Sequence, residues 1–419
     1  MRNVTRIGVV LCTAILAILS ISHLWISVLS YVWWTKNGEP RMNFNHRKIR
    51  NIIRIGVALC TAMVLILTST MTATGTATYT IVDVGVLDTS SSTISSYAND
   101  INNNGQVVGY SSTASGDRAF LWDSTKGIQD LGVLGSTSSG TSASYANGIN
   151  DEGEVVGYSS TLNGDRAFLW DTTKGIQDLG VLGSNSSGTS FSRANAINKN
   201  HQVVGYSSTL NGDRAFLWDS TKGIQDLGVL GSNGSLTNSR ANDINNQGQV
   251  VGFSTQSISG RGAFLWDSAN GMQDLGALSN PSPGGRSANG INDKSQVVGG
   301  AYAPSINRND PAFIWDSTNG MQALEFSPAY FNIANDINNS GQIVGYVNLR
   351  YRPSFAAIWD STTRKITNLN TLIDSNSGWS LVEARGINNR GEIVGYGTYN
   401  NQTRAFLLQP TNVTAAPAP

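Results

Sequence analysis

The chain has 419 residues, enough for two or three ordinary domains, and only 13% of them are charged. Its formal net charge of zero hides an asymmetry: of 28 Lys and Arg and 28 Asp and Glu, residues 1–77 hold eight bases and one acid, Glu39, which leaves 20 bases against 27 acids beyond, a net of −7. An acidic body gives no electrostatic footprint for nucleic acid, and both cysteines, Cys12 and Cys60, lie in the N-terminal segment, so the body has no thiol, disulfide or cysteine metal site.

Two apolar stretches open the chain. Residues 8–34 are long enough to cross a bilayer and end in Tyr31, Trp33 and Trp34, a pattern of interfacial anchoring. Residues 42–77 have the layout of a secretory signal peptide: basic Arg47, Lys48, Arg50 and Arg54, an apolar run from Ile55 to Leu67, and the small-x-small site Gly75-Thr76-Ala77. The two stretches share text, from Arg6 to Ala14 and from Arg54 to Ala62. Residues 1–41 are therefore expected to be either a membrane anchor or an extension upstream of a working start at Met42. Neither cysteine sits in a lipobox, because Leu11 and Leu59 occupy the position that needs a small residue. Either way the body is expected outside the cytoplasm, secreted or held at the cell surface.

From residue 78 to residue 409 one phrase recurs seven times. Its copies begin at Ile101, Ile149, Ile197, Ile244, Ile291, Ile337 and Ile387, at spacings of 48, 48, 47, 47, 46 and 50 residues. In the first copy Ser96 to Ile101 reads as a strand, Asn102 to Gly105 as a hairpin turn tolerant of positive φ, and Gln106 to Ser111 as a second strand. Ser112 to Asp117 reads as a polar loop, Arg118 to Asp123 as a third strand rich in aromatics, and Ile128 to Leu134 as a fourth. No segment of the body keeps a 3.6-residue apolar period over three turns. Four antiparallel strands in 46–50 residues form the blade of a β-propeller, because a sheet that is apolar on both faces hides neither alone. Phe120 and Trp122, with their equivalents, are the expected interblade packing.

Copy seven ends after its third strand, at Arg404 to Leu408, while Tyr79 to Leu87, ahead of the first copy, matches fourth-strand text such as Gly127 to Leu134. The predicted fold is thus an all-β, seven-bladed propeller whose N-terminal strand completes the last blade and removes the open edges. A tail over 410–419, rich in Ala and Pro, is expected to be disordered. The recurring Ile-Asn-x-x-Gly-x-Val-Val-Gly-Tyr, Ala-Phe-Leu-Trp and Asp-Leu-Gly-x-Leu-Gly over residues 79–408 resemble the HAF-repeat family of extracellular repeat proteins. That resemblance implies a secreted or surface-exposed protein and no defined activity. The family's His is replaced by Arg118, Arg166, Arg214 and Arg404, so a role for that His is lost here.

Chemistry-bearing motifs are sparse. Asp100-x-Asn102-x-Asn104-Gly105 opens like a calcium loop but has Ser111 where a bidentate Glu is needed, so a structural hairpin is the better reading. Six Trp-Asp pairs close third strands, and packing followed by a turn explains them. The body's one histidine, His201, sits in a turn, and Glu152, Glu154 and Glu392 are expected to face solvent. No metal, cofactor or catalytic residue is assigned. The irregular C-terminal loops gather Tyr330, Phe331, Arg350, Tyr351, Arg352 and Trp379, the aromatic and Arg side chains that anchor binding surfaces. The expected function is a non-catalytic binding module for an extracellular glycan or protein. The alternatives are a hydrolase or lyase with its site in the central channel, or a structural envelope protein.

Overall fold

A computed structural model describes residues 79–411 apart from 91–93, 138–139, 141, 232–237, 257–259, 279–284, 303–310, 326–329 and 350–351. The expected anchor over 8–34, the signal peptide over 42–77 and the tail beyond 411 lie outside the described residues. Among the described residues no helix is long and apolar enough to cross a membrane. The body is a ring of seven four-stranded antiparallel sheets, a seven-bladed β-propeller. In six blades the strands follow one another in chain order from the inside out; blade one comprises Ser96–Ile101, Val107–Thr113, Gly116–Asp123 and Gly127–Asp130.

The seventh blade joins the two ends. Trp379–Ile387, Ile393–Tyr399 and Gln402–Pro410 supply three strands, and Tyr79–Gly85 adds the outermost. Tyr79 pairs with Pro410 and Asp83 with Phe406, so Pro410 belongs to a strand rather than to the tail. Arg404 Nη2 donates to Asp83 Oδ2 at 2.8 Å across this seam.

Local chemistry sets the strand ends. The expected loop over 112–117 shrinks to a tight turn, because Thr113 Oγ1 donates to Gly116 O at 2.7 Å and both flanking strands extend into it. The fourth strand stops at Asp130, four residues short of Leu134, where the Asp130 carboxylate accepts from Gly132 N and Gly132 adopts φ +83°. Every Trp-Asp aspartate also starts a turn; Asp123 Oδ1, for example, accepts from Thr125 N and Lys126 N. The described residues include one short 3-10 turn, Leu369–Thr371, and no α-helix.

The cores lie between blades. Val108, Ala119, Leu121 and Leu131 of blade one pack on Ala146, Ile149, Val155 and Phe168 of blade two, and the pattern repeats round the ring. Phe120, Phe168, Phe216, Phe264, Phe313 and Phe406 are fully buried, worth roughly 2–3 kcal/mol each in transfer terms. In blade six Ala357 replaces the Phe, and Trp359 sinks to 1% exposure while its Nε1 donates to Glu325 O at 3.2 Å.

One irregularity recurs in the innermost strand of all seven blades. The pairing slips between Ala98 and Asp100, leaving Asn99 as an extra, bulged residue, and the same slip occurs in blades two to seven. The Gly of the Val-Val-Gly phrase exists because of it: a Cβ on Gly109 would lie 1.9 Å from Tyr97 O.

Deleting residues 79–85 removes the buried Tyr79 and Val84 and bares the edge of Gln402–Pro410 in the last blade. The truncated protein is expected to lose more than about 4 kcal/mol of stability, the cost of losing several core side chains at once. Thermal melting beside the parent measures it, and an unchanged melting temperature would refute ring closure by this strand.

Candidate functional site

The seven innermost strands enclose the central channel. Two ends can be distinguished: a turn face carrying the Asn hairpins, and a loop face carrying the starts of the innermost strands.

At the turn face the side chains form a closed belt. Asn102 Nδ2 donates to Asn150 O at 2.9 Å, and Asn150, Asn198, Asn245, Asn292 and Asn338 repeat the step at 3.0–3.4 Å. Asn388 Nδ2 donates to Asn102 O at 3.0 Å and completes the circle. Each Asn Oδ1 also caps its own hairpin; Asn102 Oδ1 accepts from Asn104 N and Gln106 N. The hairpin residues of the calcium-like text are thus committed to turn and belt bonds. His201 Nδ1 lies 2.7 Å from Glu154 Oε2, a contact that raises the imidazole's pKa. Glu392 corrects the expectation of solvent exposure: it is 8% exposed and bonded to Asn388, Arg390 and Gln409. A small polar cavity of about 170 Å³, lined by the seven Ile-Asn segments, lies at this end.

Toward the loop face the channel widens into a cavity of about 490 Å³, lined by Asn99, Asn147, Asn195, Asn242, Asn335, Tyr110, Tyr145, Tyr158, Glu383 and Arg385. Its amides are the bulged residues. Each donates to a backbone carbonyl of the next blade: Asn99 Nδ2 to Ala146 O at 2.7 Å, Asn147 to Ala194 O at 2.8 Å, Asn195 to Ala241 O at 2.7 Å. In blade seven the bulged residue is Arg385, and this substitution breaks the symmetry. Its Nη1 donates to Asn99 Oδ1 at 2.7 Å, its Nε lies 3.4 Å from Glu383 Oε1, and its guanidinium covers the Tyr396 ring at 4.7 Å. Neighbouring Glu383 and the surrounding tyrosines raise the Arg385 pKa, outweighing burial, which lowers it. A ladder of rings continues from it: Tyr396 against Tyr97, Tyr97 stacked on Tyr110, Tyr110 against Tyr145, Tyr145 stacked on Tyr158, each at 4.8–4.9 Å, and Arg193 over Tyr158 at 4.3 Å. Burial pushes the Tyr158 and Tyr396 phenols up to about 12.

One residue beyond the amides, Asp100, Asp243 and Asp336 form a separate tier. Each carboxylate accepts from the N–H of its own blade's Ile and from that of the next blade's Ile, as Asp100 does from Ile101 N at 2.7 Å and Ile149 N at 3.0 Å. They are enclosed by the ring yet keep partial accessibility. Desolvation pushes Asp100 up to about 7 and Asp336 up to about 6, and lifts Asp243 well above the usual carboxylate range; mutual repulsion adds to the shift at Asp100 and Asp243.

Of the six loop residues singled out in the sequence, Arg350 and Tyr351 lie outside the described residues. Tyr330 and Arg352 begin strands at the loop face of blade six, both opposite Leu349, and Phe331 pairs with Asn348. Trp379 stacks on Tyr399 at 4.9 Å and meets the edge of Phe406, which ties it into the core of blade seven. Phe331 and Trp379 are not among the described residues lining the channel cavity. The channel residues escaped sequence reading, although a signal was present: aligning the copies column by column gives Asn99, Asn147, Asn195, Asn242, Asn289 and Asn335, then Arg385. Among the described residues no group of three or more His, Cys, Asp or Glu could hold a metal ion.

The family described as "Protein of unknown function (DUF3466)" matches residues 182–327 and 285–414, together more than half of the chain. No curated protein matches it significantly. Among solved structures, puromycin hydrolase is 9% identical with a TM-score of 0.51, covering 80% of this chain and 57% of its own length. AofleA from Arthrobotrys oligospora is 14% identical with a TM-score of 0.40, over 69% of this chain and 89% of that one. A mutant of the Aleuria aurantia lectin in complex with Fucalpha1-6GlcNAc is 13% identical with a TM-score of 0.40, over 66% and 94%. The similarity to the hydrolase is one of fold alone, and this chain spans little more than half of it.

Replacing Asn245 by Ala breaks the belt, uncaps a hairpin and leaves the Asn292 carbonyl without its donor; a loss of about 2–4 kcal/mol is expected in chemical denaturation. The Asp tier gives a second expectation. A carboxylate whose pKa is raised by folding stabilises fully below the unfolded value near 4, and that stability is lost as pH rises toward about 7. Asp123, Asp171, Asp219 and Asp267, lowered mainly by turn hydrogen bonds, act oppositely, losing stability as pH falls below about 4. The melting temperature is therefore expected to peak near pH 4–5, and Asp336→Asn to flatten its decline toward pH 7.

Proposed function

The chain belongs to the DUF3466 family, and we propose that it is an exported, non-catalytic binding module that takes a glycan in the loop-face end of its channel. The observation that supports this reading most is the cavity of about 490 Å³ walled by amides, phenols and one Arg–Glu pair. Amides and phenols supply directional hydrogen bonds for hydroxyl groups, and the tyrosine ladder offers ring surface beside them. The only carboxylate in the cavity wall among the described residues, Glu383, is bonded to Asn335 Nδ2 at 3.1 Å and paired with Arg385. A hydrolase needs a proton donor and a second group free to act on substrate or water. The basic region and apolar run over 42–77 support export, and the resemblance to HAF-repeat proteins points the same way.

A glycan array followed by calorimetry tests the proposal. Tyr158→Phe keeps the ring stack and removes one hydroxyl, so affinity is expected to fall about 3- to 10-fold, about 1 kcal/mol, with the melting temperature unchanged. Absence of glycan binding, or glycan turnover abolished by Glu383→Gln, would overturn it.

A further inference from the structure

We infer that the glycan entering this channel is an amino sugar with a free ammonium group, held by amide oxygens of the bulged asparagines above the Asp tier. This rests on the glycan reading and deepens it.

The hydrogen-bond directions carry the argument. Asn147 and Asn195 each face a backbone carbonyl, which can only accept, so the atom turned to it is Nδ2 and the other, Oδ1, is fixed by that orientation. Asn242 Nδ2 donates to both Ser287 Oγ and Ala288 O, and Asn335 Nδ2 to both Glu383 Oε1 and Ala384 O, so these two amides keep no proton for a ligand. The Oδ1 atoms of Asn147, Asn195, Asn242 and Asn335 have no hydrogen-bond partner among the described residues, and none of them is a buried unpaired atom, so they remain accessible at the cavity wall. Asn99 is the exception, because Arg385 already occupies its oxygen.

At the ring of amides the free oxygens, four, outnumber the spare Nδ2 protons, one each on Asn99, Asn147 and Asn195; the wall's other donors are phenols, which also accept, and Arg385, which is paired with Glu383. A hydroxyl both donates and accepts, whereas an ammonium only donates, with three N–H groups. The charges agree with the hydrogen bonds. The one cation in the wall among the described residues, Arg385, is paired with Glu383, and Arg193, farther along the ladder, is paired with Asp165. Asp100, Asp243 and Asp336 stand one residue beyond the amides with no basic partner, each carboxylate using one backbone N–H per oxygen and keeping further lone pairs. As these carboxyls ionise with rising pH, a carboxylated, sulfated or phosphorylated sugar would meet repulsion here. An inorganic divalent ion is disfavoured because the described acids do not converge into a metal cluster.

Calorimetry with the purified protein at pH 6.5, using glucosamine, N-acetylglucosamine, glucose, putrescine and calcium chloride as separate probes, decides the matter. Glucosamine is expected to bind at least about 10-fold tighter than the two neutral sugars, and its binding to release protons, read from its heat in buffers of different ionisation enthalpy. Asp243→Asn is expected to weaken glucosamine about 10-fold and to leave glucose unchanged; should that variant not fold, proton release in the parent protein still tests the claim. Equal affinity for glucose and glucosamine overturns the ammonium inference and leaves the glycan reading standing. Putrescine binding as tightly as glucosamine upholds the ammonium site and overturns the glycan. Calcium displacing glucosamine assigns the tier to a metal and overturns the inference, and no binding by any probe overturns both readings.

Discussion

The structure depends on a bond that each blade makes to the next at the innermost strand. The Asn belt ties the amide of one hairpin to the backbone carbonyl of its neighbour, seven times, with the last bond returning to the first blade. Hydrophobic burial between blades supplies most of the free energy, yet it is tolerant of sliding. The belt is directional. It sets the angular register of the sheets and so fixes where the bulged residues point.

The bulge converts that register into a site. A residue omitted from the ladder has no strand partner, and its side chain is free to reach across the gap between blades. Six times this residue is Asn, and the result is a repeating ring of amides. Once it is Arg385, and one sector of the wall becomes an ion-paired, aromatic corner joining blades six, seven and one through Asn335, Glu383, Arg385 and Asn99. A nearly symmetric scaffold thereby acquires a single orientation for anything lying in its channel.

The blades were legible in the sequence because strand text, Asn-Gly turns and Phe-Leu-Trp runs are local signals that repeat. Closure was legible because the first strand's text matches the fourth strands and the last copy lacks one. The channel was not, for a physical reason. Ala98-Asn99-Asp100 reads as an ordinary alternating strand, and only the register against Gly109 and Val108 shows that Asn99 is extra. Seeking irregularity in loops led to Tyr330, Arg352 and Trp379, whereas the channel's asymmetry is one substitution in an otherwise regular column. Copies two and three, which are nearly identical in sequence, supply Tyr145, Asn147, Tyr158 and Asn195 to the cavity wall.

A blade assembled from both chain ends has a consequence for biosynthesis. The segment Tyr79–Gly85 leaves the ribosome ahead of every other blade strand but finds its neighbour, Gln402–Pro410, only when nearly all of the body has been made. Six sheets can form in order while this early ribbon waits with its ladder groups and Val84 exposed. Premature termination anywhere before Gln402 removes that neighbour and leaves the first strand with an unpaired ladder.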